Sequence, residues 1–530
     1  FVNPEHEQRT AQWLRSVRPG LSITLASEVC PEIREFERLS TACANAYVRP
    51  LMASYLGRLA GELQQMGFAC PFLLMTSGGG LTTLDTASRF PIRLVESGPA
   101  GGAILAQDVA RNAGLDRVLS FDMGGTTAKL CLIDDFKPLT SRSFEVDRVY
   151  RFRKGSGLPV RIPVIEMVEI GAGGGSIAQI DKLGLIQVGP ESAGSEPGPA
   201  AYGRGGERPA VTDADVKLGR VYAETFAGGS FQLDMVASDR ALQKEIAEPL
   251  GLDSEMAAFG VSEVVDENMA AAARAHAAEF GLDLGSRDMV AFGGAAPLHA
   301  ARLGEKLGVR RIIVPGEAGV GSAVGFLLAP VAYEVVRSRR QLLSALQAAI
   351  INELTAEMHA ESLAVVEMGA RGGKLVETRQ AYMRYVGQGH EIAVSIPVER
   401  YSDAHSDIFR KAFERDYARL YGRTIEGVDI EVLSWTLTIS ELLPEPGHRV
   451  RSGNELNAVE PEPLDSAHSL FDPGLERTVA ARVFLRDSLK SGSKIDGPAL
   501  ITEAQTTTVV PVGWRARVNQ RSHIILERTS

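Results

Sequence analysis

The segment VLSFDMGGTTAKLCLID carries the residues best suited to chemistry. Asp122 closes a buried apolar run, and Gly124, Gly125, Thr126 and Thr127 follow it as a turn. Glycines let backbone N–H groups approach an anion with no Cβ in the way. Threonine hydroxyls can donate to phosphate oxygens, and a carboxylate at a strand end can hold Mg²⁺ through water. Asp122 is therefore expected to be the catalytic and metal-holding acid, with Gly124, Gly125, Thr126 and Thr127 around the phosphates of a nucleotide. A plain tight hairpin needs only one or two glycines and accounts for neither the paired threonines nor the acid leading into them.

Two further glycine loops follow apolar runs. EIGAGGGSIAQID places Gly171, Gly173, Gly174 and Gly175 where bare backbone can line a nucleotide, although a flexible connection between strands uses the same residues. MVAFGGAAPLHAARLG ends a strand in Gly293 and Gly294, flat enough to lie under a purine, and starts a helix near Pro297. His299, one turn into that helix, reads as a buried structural histidine. The strand at 311–314 followed by Gly319, Gly321 and Gly325 imitates a dinucleotide fingerprint, but the spacing is one residue too long and close helix packing explains the glycines. No GxxxxGK[ST] occurs, so an ATP site here must be of another design, and no HExxH-like spacing marks a zinc site.

The elements that must position these loops read as α/β. Apolar steps of three to five residues predict a long helical segment over 31–67, with Pro50 marking a kink or join. Strands are expected at 72–75, 118–121, 128–133, 164–170, 289–292 and 312–314, and helices at 97–112, 257–280, 297–307 and 319–328. Beyond 330–340 the pattern changes: residues 341–369 read as helical, 378–385 and 391–396 as strands, 455–474 as an exposed loop, and 479–526 as β-rich. The expected division is 1–112, 113–335 and a C-terminal α+β domain over 336–530.

The chain has 530 residues, 45% of them hydrophobic, enough for several cores. A net charge of -10 without a basic tract argues against nucleic acid and anionic membranes as partners. Four cysteines without a CxxC pair argue against a disulfide framework and for a reducing, cytoplasmic setting; no apolar run is long enough to span a membrane. The first residue is Phe, and the opening FVNPEHEQRTAQWLRS reads as a strand end followed by a helix cap, so the chain is expected to begin within a longer protein.

The order of these segments resembles the hydantoinase A and 5-oxoprolinase family. The likeness rests on ESGPAGGA (96–103), FDMGGTTAKLCLID (121–134), EIGAGGGSIAQID (169–181), VGPESAGSEPGPAAYGRGG (188–206), VTDADVKLGR, AFGGAAPLHA, VPGEAGVGSAVG and MRYVGQGHE, and covers nearly the whole chain. It implies an actin-like, ribonuclease H-like ATPase fold of the actin, sugar kinase and chaperone superfamily. On that likeness Asp122–Thr127 is the second phosphate loop, Gly173, Gly174 and Gly175 border the nucleotide, and Gly293, Gly294 and Ala295 face the adenosine. A DxGGTFTD-like first phosphate loop is not found in these residues and is expected before Phe1. Lys129 stands where many relatives carry Asp and either contacts a phosphate or caps a strand edge; Ala201 stands where GPACYG is usual. The resemblance implies ATP and Mg²⁺ as cofactors, phosphorylation of a cyclic amide oxygen before hydrolysis, and a hetero-oligomer with a hydantoinase B-like subunit. Relatives that carboxylate ketones leave an alternative reaction, and a non-catalytic nucleotide-binding assembly subunit leaves a third reading.

Overall fold

A computed structural model describes residues 3–149, 155–442 and 459–529. Its contacts divide the chain into two compact units. One joins Phe1–Ala100, Thr140–Ile165 and Leu328–Glu445; the other joins Gly101–Leu139, Glu166–Leu327 and Pro446–Ser530.

The second unit is built on strands whose apolar residues are almost continuous, as strands covered on both faces require. Arg117–Met123 pairs antiparallel with Ala128–Asp134, which pairs with Met167–Ile170; on its other side Arg117–Met123 runs parallel to Asp288–Phe292, and that strand runs parallel to Arg311–Val314. Counted in chain order, these five strands lie 3-2-1-4-5 with 1, 4 and 5 parallel. This is the core of the actin-like, ribonuclease H-like fold. Helix Ser254–Glu279, capped by the Asp253 carboxylate on Met256 N (2.8 Å), buries an alanine-rich face beside it. Helix Ala296–Leu307 follows the fourth strand.

The late part of the chain does not form one consecutive domain over 336–530. Ile524–Arg528 pairs antiparallel with Arg311–Val314, and Trp514–Val518 and Lys494–Asp496 continue the same sheet. An exposed edge of Ile312, Ile313 and Val314 would leave unpaired backbone groups, and the tail supplies the missing partner strand. A second sheet in this unit holds Asp465–Asp472, Arg477–Leu485, Ala499–Thr502 and Thr507–Val510. The division thus differs from boundaries at 112/113 and 335/336, because the chain leaves each unit and returns to it.

In the first unit, Ala332–Leu342, Ile430–Glu441, Leu375–Tyr385 and Ile392–Ile396 form an antiparallel sheet in that spatial order. Helices Ala348–Glu367 and His405–Tyr421 contribute to a core around Trp435, Tyr385, Phe409 and Phe413, with the Tyr385 and Phe413 rings edge to face at 5.0 Å. This is the expected α+β portion. Glu35–Gln65 is a single helix running through Pro50. Pro50 is exposed, so water can take the carbonyl that its missing N–H leaves free.

Three local expectations need correction. Residues 341–347 are not α-helical; Gln341 and Leu342 end a strand, Leu343–Ala345 is one 3-10 turn, and the α-helix starts at Ala348. Within the expected loop at 455–474, Asp465–Asp472 is a strand, because Leu470 and Phe471 are buried against its neighbour; 455–458 lie outside the described residues. The expected strand over 164–170 is two, Val164–Ile165 and Met167–Ile170.

Candidate nucleotide site

The hairpin after Arg117–Met123 is held from three sides within the second unit. Gly124 N donates to Thr127 O (3.1 Å), closing the turn, while Gly124 O and Gly125 O accept from Gly174 N (3.0 Å) and Gly175 N (2.6 Å). Ala295 N donates to Met123 O (2.9 Å). The glycines make this contact possible. A Cβ on Gly173 would lie 2.6 Å from Thr126 N, and one on Gly293, at φ +100°, would lie 2.4 Å from Met123 O. The turn itself is different: at Gly124 and Gly125 a Cβ would meet nothing within 4 Å. The N–H groups of Gly125, Thr126 and Thr127 find no acceptor among the described residues, which leaves consecutive donors of the kind that hold an anion.

These loops border a cleft of about 180 Å³. Of the residues expected from sequence, Gly124, Gly125, Gly174, Gly294 and Ala295 line it. Asp122 stands behind the turn, where its carboxylate accepts from Ser322 Oγ (3.1 Å) and lies against Gly293. Burial pushes the Asp122 pKa up, against the Ser322 hydrogen bond and the Lys129 charge. Thr126 and Thr127 sit on the outer side of the turn, and Gly173 and Gly175 beneath it. Lys129 Nζ is taken by Thr127 Oγ1 (2.9 Å) and the cross-strand Glu169 (3.2 Å).

Other cleft residues carry no glycine signal. Asp213 accepts from the backbone of Ala200 (3.1 Å), Ala201 (2.7 Å) and Ala210 (2.7 Å), fixing the GPAAYG loop so that Tyr202 reaches the cleft. Tyr202 packs with Phe226 (6.2 Å) and Phe231 (5.3 Å). Asp215 also borders the cleft and is tied to His299 Nε2 (3.2 Å) and Arg220 (3.0 Å). His299 is wholly buried, with Nδ1 on Asp266 (2.8 Å), and is structural as expected. The opposite wall is Thr502–Thr507, where Thr506 Oγ1 donates to Gly294 O (2.9 Å). That wall comes from a β-turn some two hundred residues downstream, and nothing in its sequence announces it.

The imitation fingerprint is resolved as packing. A Cβ on Gly325 would fall 1.8 Å from Gly101 O, so helices Ser97–Ala113 and Gly321–Leu328 touch backbone to backbone. Among the described residues no helix is long and apolar enough to cross a membrane.

A five-stranded core with three glycine loops around one cleft defines the actin-like, ribonuclease H-like class of fold. The chain belongs to the hydantoinase/oxoprolinase family: the hydantoinase/oxoprolinase family model matches residues 38–335, and the hydantoinase/oxoprolinase C-terminal domain model matches 337–529. It is 30% identical over 521 residues to the caprolactamase subunit alpha of Pseudomonas jessenii, covering 98% of this chain and 73% of that one. The crystal structure of the ATP-dependent caprolactamase from Pseudomonas jessenii superposes with a TM-score of 0.83 at 28% identity, over 100% of this chain and 75% of that one. A nucleotide-free structure of acetone carboxylase gives a TM-score of 0.77 at 25% identity, over 99% of this chain and 74% of that one.

Proposed function

We propose that this chain is the ATP-binding subunit of an ATP-dependent cyclic amide hydrolase, which opens a hydantoin, 5-oxoproline or lactam ring by phosphorylating the amide oxygen. The observation that carries this reading is the row of unpartnered amides at Gly125–Thr127 beside a glycine-walled cleft. A Cβ at Gly173 or Gly293 would fill the space that lets the loops meet there. The membership of the family and the likeness to caprolactamase support the substrate class.

When bound, MgATP supplies the phosphoryl group that makes the amide oxygen a leaving group and opens the carbon to water. The Gly125–Thr127 amides hold phosphate oxygens, and their fixed dipoles stabilise the charge that develops during transfer. Asp122, kept in place by Ser322, would hold Mg²⁺ through water. Gly294 and Ala295 leave flat backbone for the base, with the Tyr202 and Phe226 rings on the cleft wall. A hydantoinase B-like subunit completes the enzyme, in keeping with the caprolactamase relative's being an alpha subunit.

The test is calorimetric MgATP binding, then phosphate release with the partner subunit on a panel of cyclic amides, for wild type and Asp122→Ala. The variant should bind MgATP at least about tenfold more weakly and lose turnover, since it removes a charged metal contact. Unchanged binding and turnover would show that Asp122 is not the anchor. The likeness to acetone carboxylase favours a second reaction, carboxylation of a ketone. Turnover stimulated only by ketone plus bicarbonate would assign that one, and MgATP binding without turnover on either panel would assign a nucleotide-binding assembly role.

A further inference from the structure

The first unit contains a polar pocket of about 190 Å³ that the nucleotide reading does not use. It is lined by the Thr76–Gly80 turn, by Arg93, by the strand at Thr140–Ser141, and by three neighbouring strands of the antiparallel sheet. Its floor is charged. Arg142, 7% exposed, gives one terminal nitrogen to Glu334 and the other to Glu32 (2.6 Å), but its buried Nε has no acceptor. A buried guanidinium donor left open costs stability unless something fills it.

The neighbouring groups are open in the same way. Arg93 donates to the Glu334 backbone carbonyl (3.2 Å) and lies 4.8 Å from the Tyr333 ring centroid, yet pairs with no carboxylate among the described residues. Among the described residues the hydroxyls of Tyr382 and Thr438 and the amide of Gln380 make no side-chain hydrogen bond either, although all three line the pocket. Charge around the pocket is unbalanced. Glu32 is shared between Arg142 and Arg161, Glu391 between Arg34 and Arg161, and Glu334 serves Arg142, so Arg93 brings a fourth guanidinium against three carboxylates.

We infer that this pocket binds a small molecule carrying one carboxylate, with the carboxylate on Arg93 and a neutral polar body toward Arg142 Nε, Tyr382 and Gln380. The volume leaves room for one small ring and a substituent. An uncharged lactam would leave the Arg93 charge uncompensated, whereas a second carboxylate would face Glu334.

Three ring-sized probes separate the contributions: 5-oxoproline with both carboxylate and amide, cyclopentanecarboxylate with the acid alone, and 2-pyrrolidinone with the amide alone. Binding to the full chain is measured by calorimetry or ligand-observed NMR without nucleotide, so the outcome is independent of the Asp122 experiment. Both acids should bind, with 5-oxoproline the tighter, and 2-pyrrolidinone should bind at least about tenfold more weakly than 5-oxoproline, the value of one charge-assisted contact. Arg93→Met should abolish that difference. Tyr382→Phe, which keeps the ring and its packing, should weaken 5-oxoproline while leaving cyclopentanecarboxylate nearly unchanged, and serves if Arg93→Met does not fold. Failure of both acids to bind, equal binding of 2-pyrrolidinone, or unchanged acid affinity in Arg93→Met would each overturn the assignment.

Discussion

Two buried ionic clusters, one in each unit, solve the same problem differently. In the second unit Arg220, Asp215, His299 and Asp266 form a chain in which both imidazole nitrogens and both carboxylates are used, and Ser262 joins Arg220 at 2.7 Å. Two positive groups face two negative ones, which makes the cluster closed and fixes the position of Asp215 at the cleft wall. In the first unit the Glu32 cluster is open: among the described residues Arg142 Nε has no acceptor and Arg93 no carboxylate. A balanced cluster positions its members, whereas an unbalanced, less deeply buried one retains the capacity to recognise something else.

The sharpest way to break the comparison is to unpair the open cluster. Glu32→Ala leaves the Arg142 and Arg161 guanidiniums facing each other with only Glu334 and Glu391 as partners, and should destabilise the first unit by about 3–5 kcal/mol. Thermal and denaturant unfolding measure this, and a loss below about 1 kcal/mol would mean that the cluster carries no structural load. The closed cluster predicts a pH effect. Burial alone would push the His299 pKa down, but Asp215 and Asp266 overcome it and hold the group at about 9. The folded chain therefore keeps a proton that the unfolded chain loses near the ordinary imidazole pKa of 6.5. This stabilisation is complete below pH 6.5 and is lost as pH rises through about 9, amounting to something on the order of 3 kcal/mol. Unfolding midpoints from pH 6 to 10 should show it, and His299→Gln should flatten that limb.

The sequence reading was strongest where a residue type has a single local use. Asp122 and the Gly124–Thr127 turn follow an apolar strand; Gly124 and Gly125 line the cleft, Thr126 and Thr127 lie on the outer side of the turn, and Asp122 stands behind it. Alanine and glycine periodicity likewise announced the helices Ser254–Glu279 and Gly321–Leu328. What stayed hidden depends on long-range pairing. The Thr502–Thr507 wall and the Ile524–Arg528 strand belong to the second unit only because Arg311–Val314 needs a partner at its edge. The same strands viewed alone are simply β-rich. The helix His405–Tyr421 was legible and passed over: Phe409, Phe413 and Tyr417 recur every fourth residue and are buried. The Asp465–Asp472 strand was masked by polar residues on its outer face, with Leu470 and Phe471 as its buried pair.

Lys129 gives the smallest and most discriminating effect. Its ammonium is committed to Thr127 Oγ1 and to Glu169, whose side chain is 46% exposed, so the ion pair is worth no more than about 1 kcal/mol. Lys129→Met should therefore shift stability by less than that amount, and a double-mutant cycle with Glu169→Gln should return a coupling in the same range. MgATP affinity should fall only about two- to threefold, through loss of a charge that favours ionised Asp122. A loss as large as that of Asp122→Ala would mean instead that Lys129 leaves Glu169 and takes up a phosphate. The lysine would then belong with the open cluster of the first unit, as a charge held in reserve for a ligand.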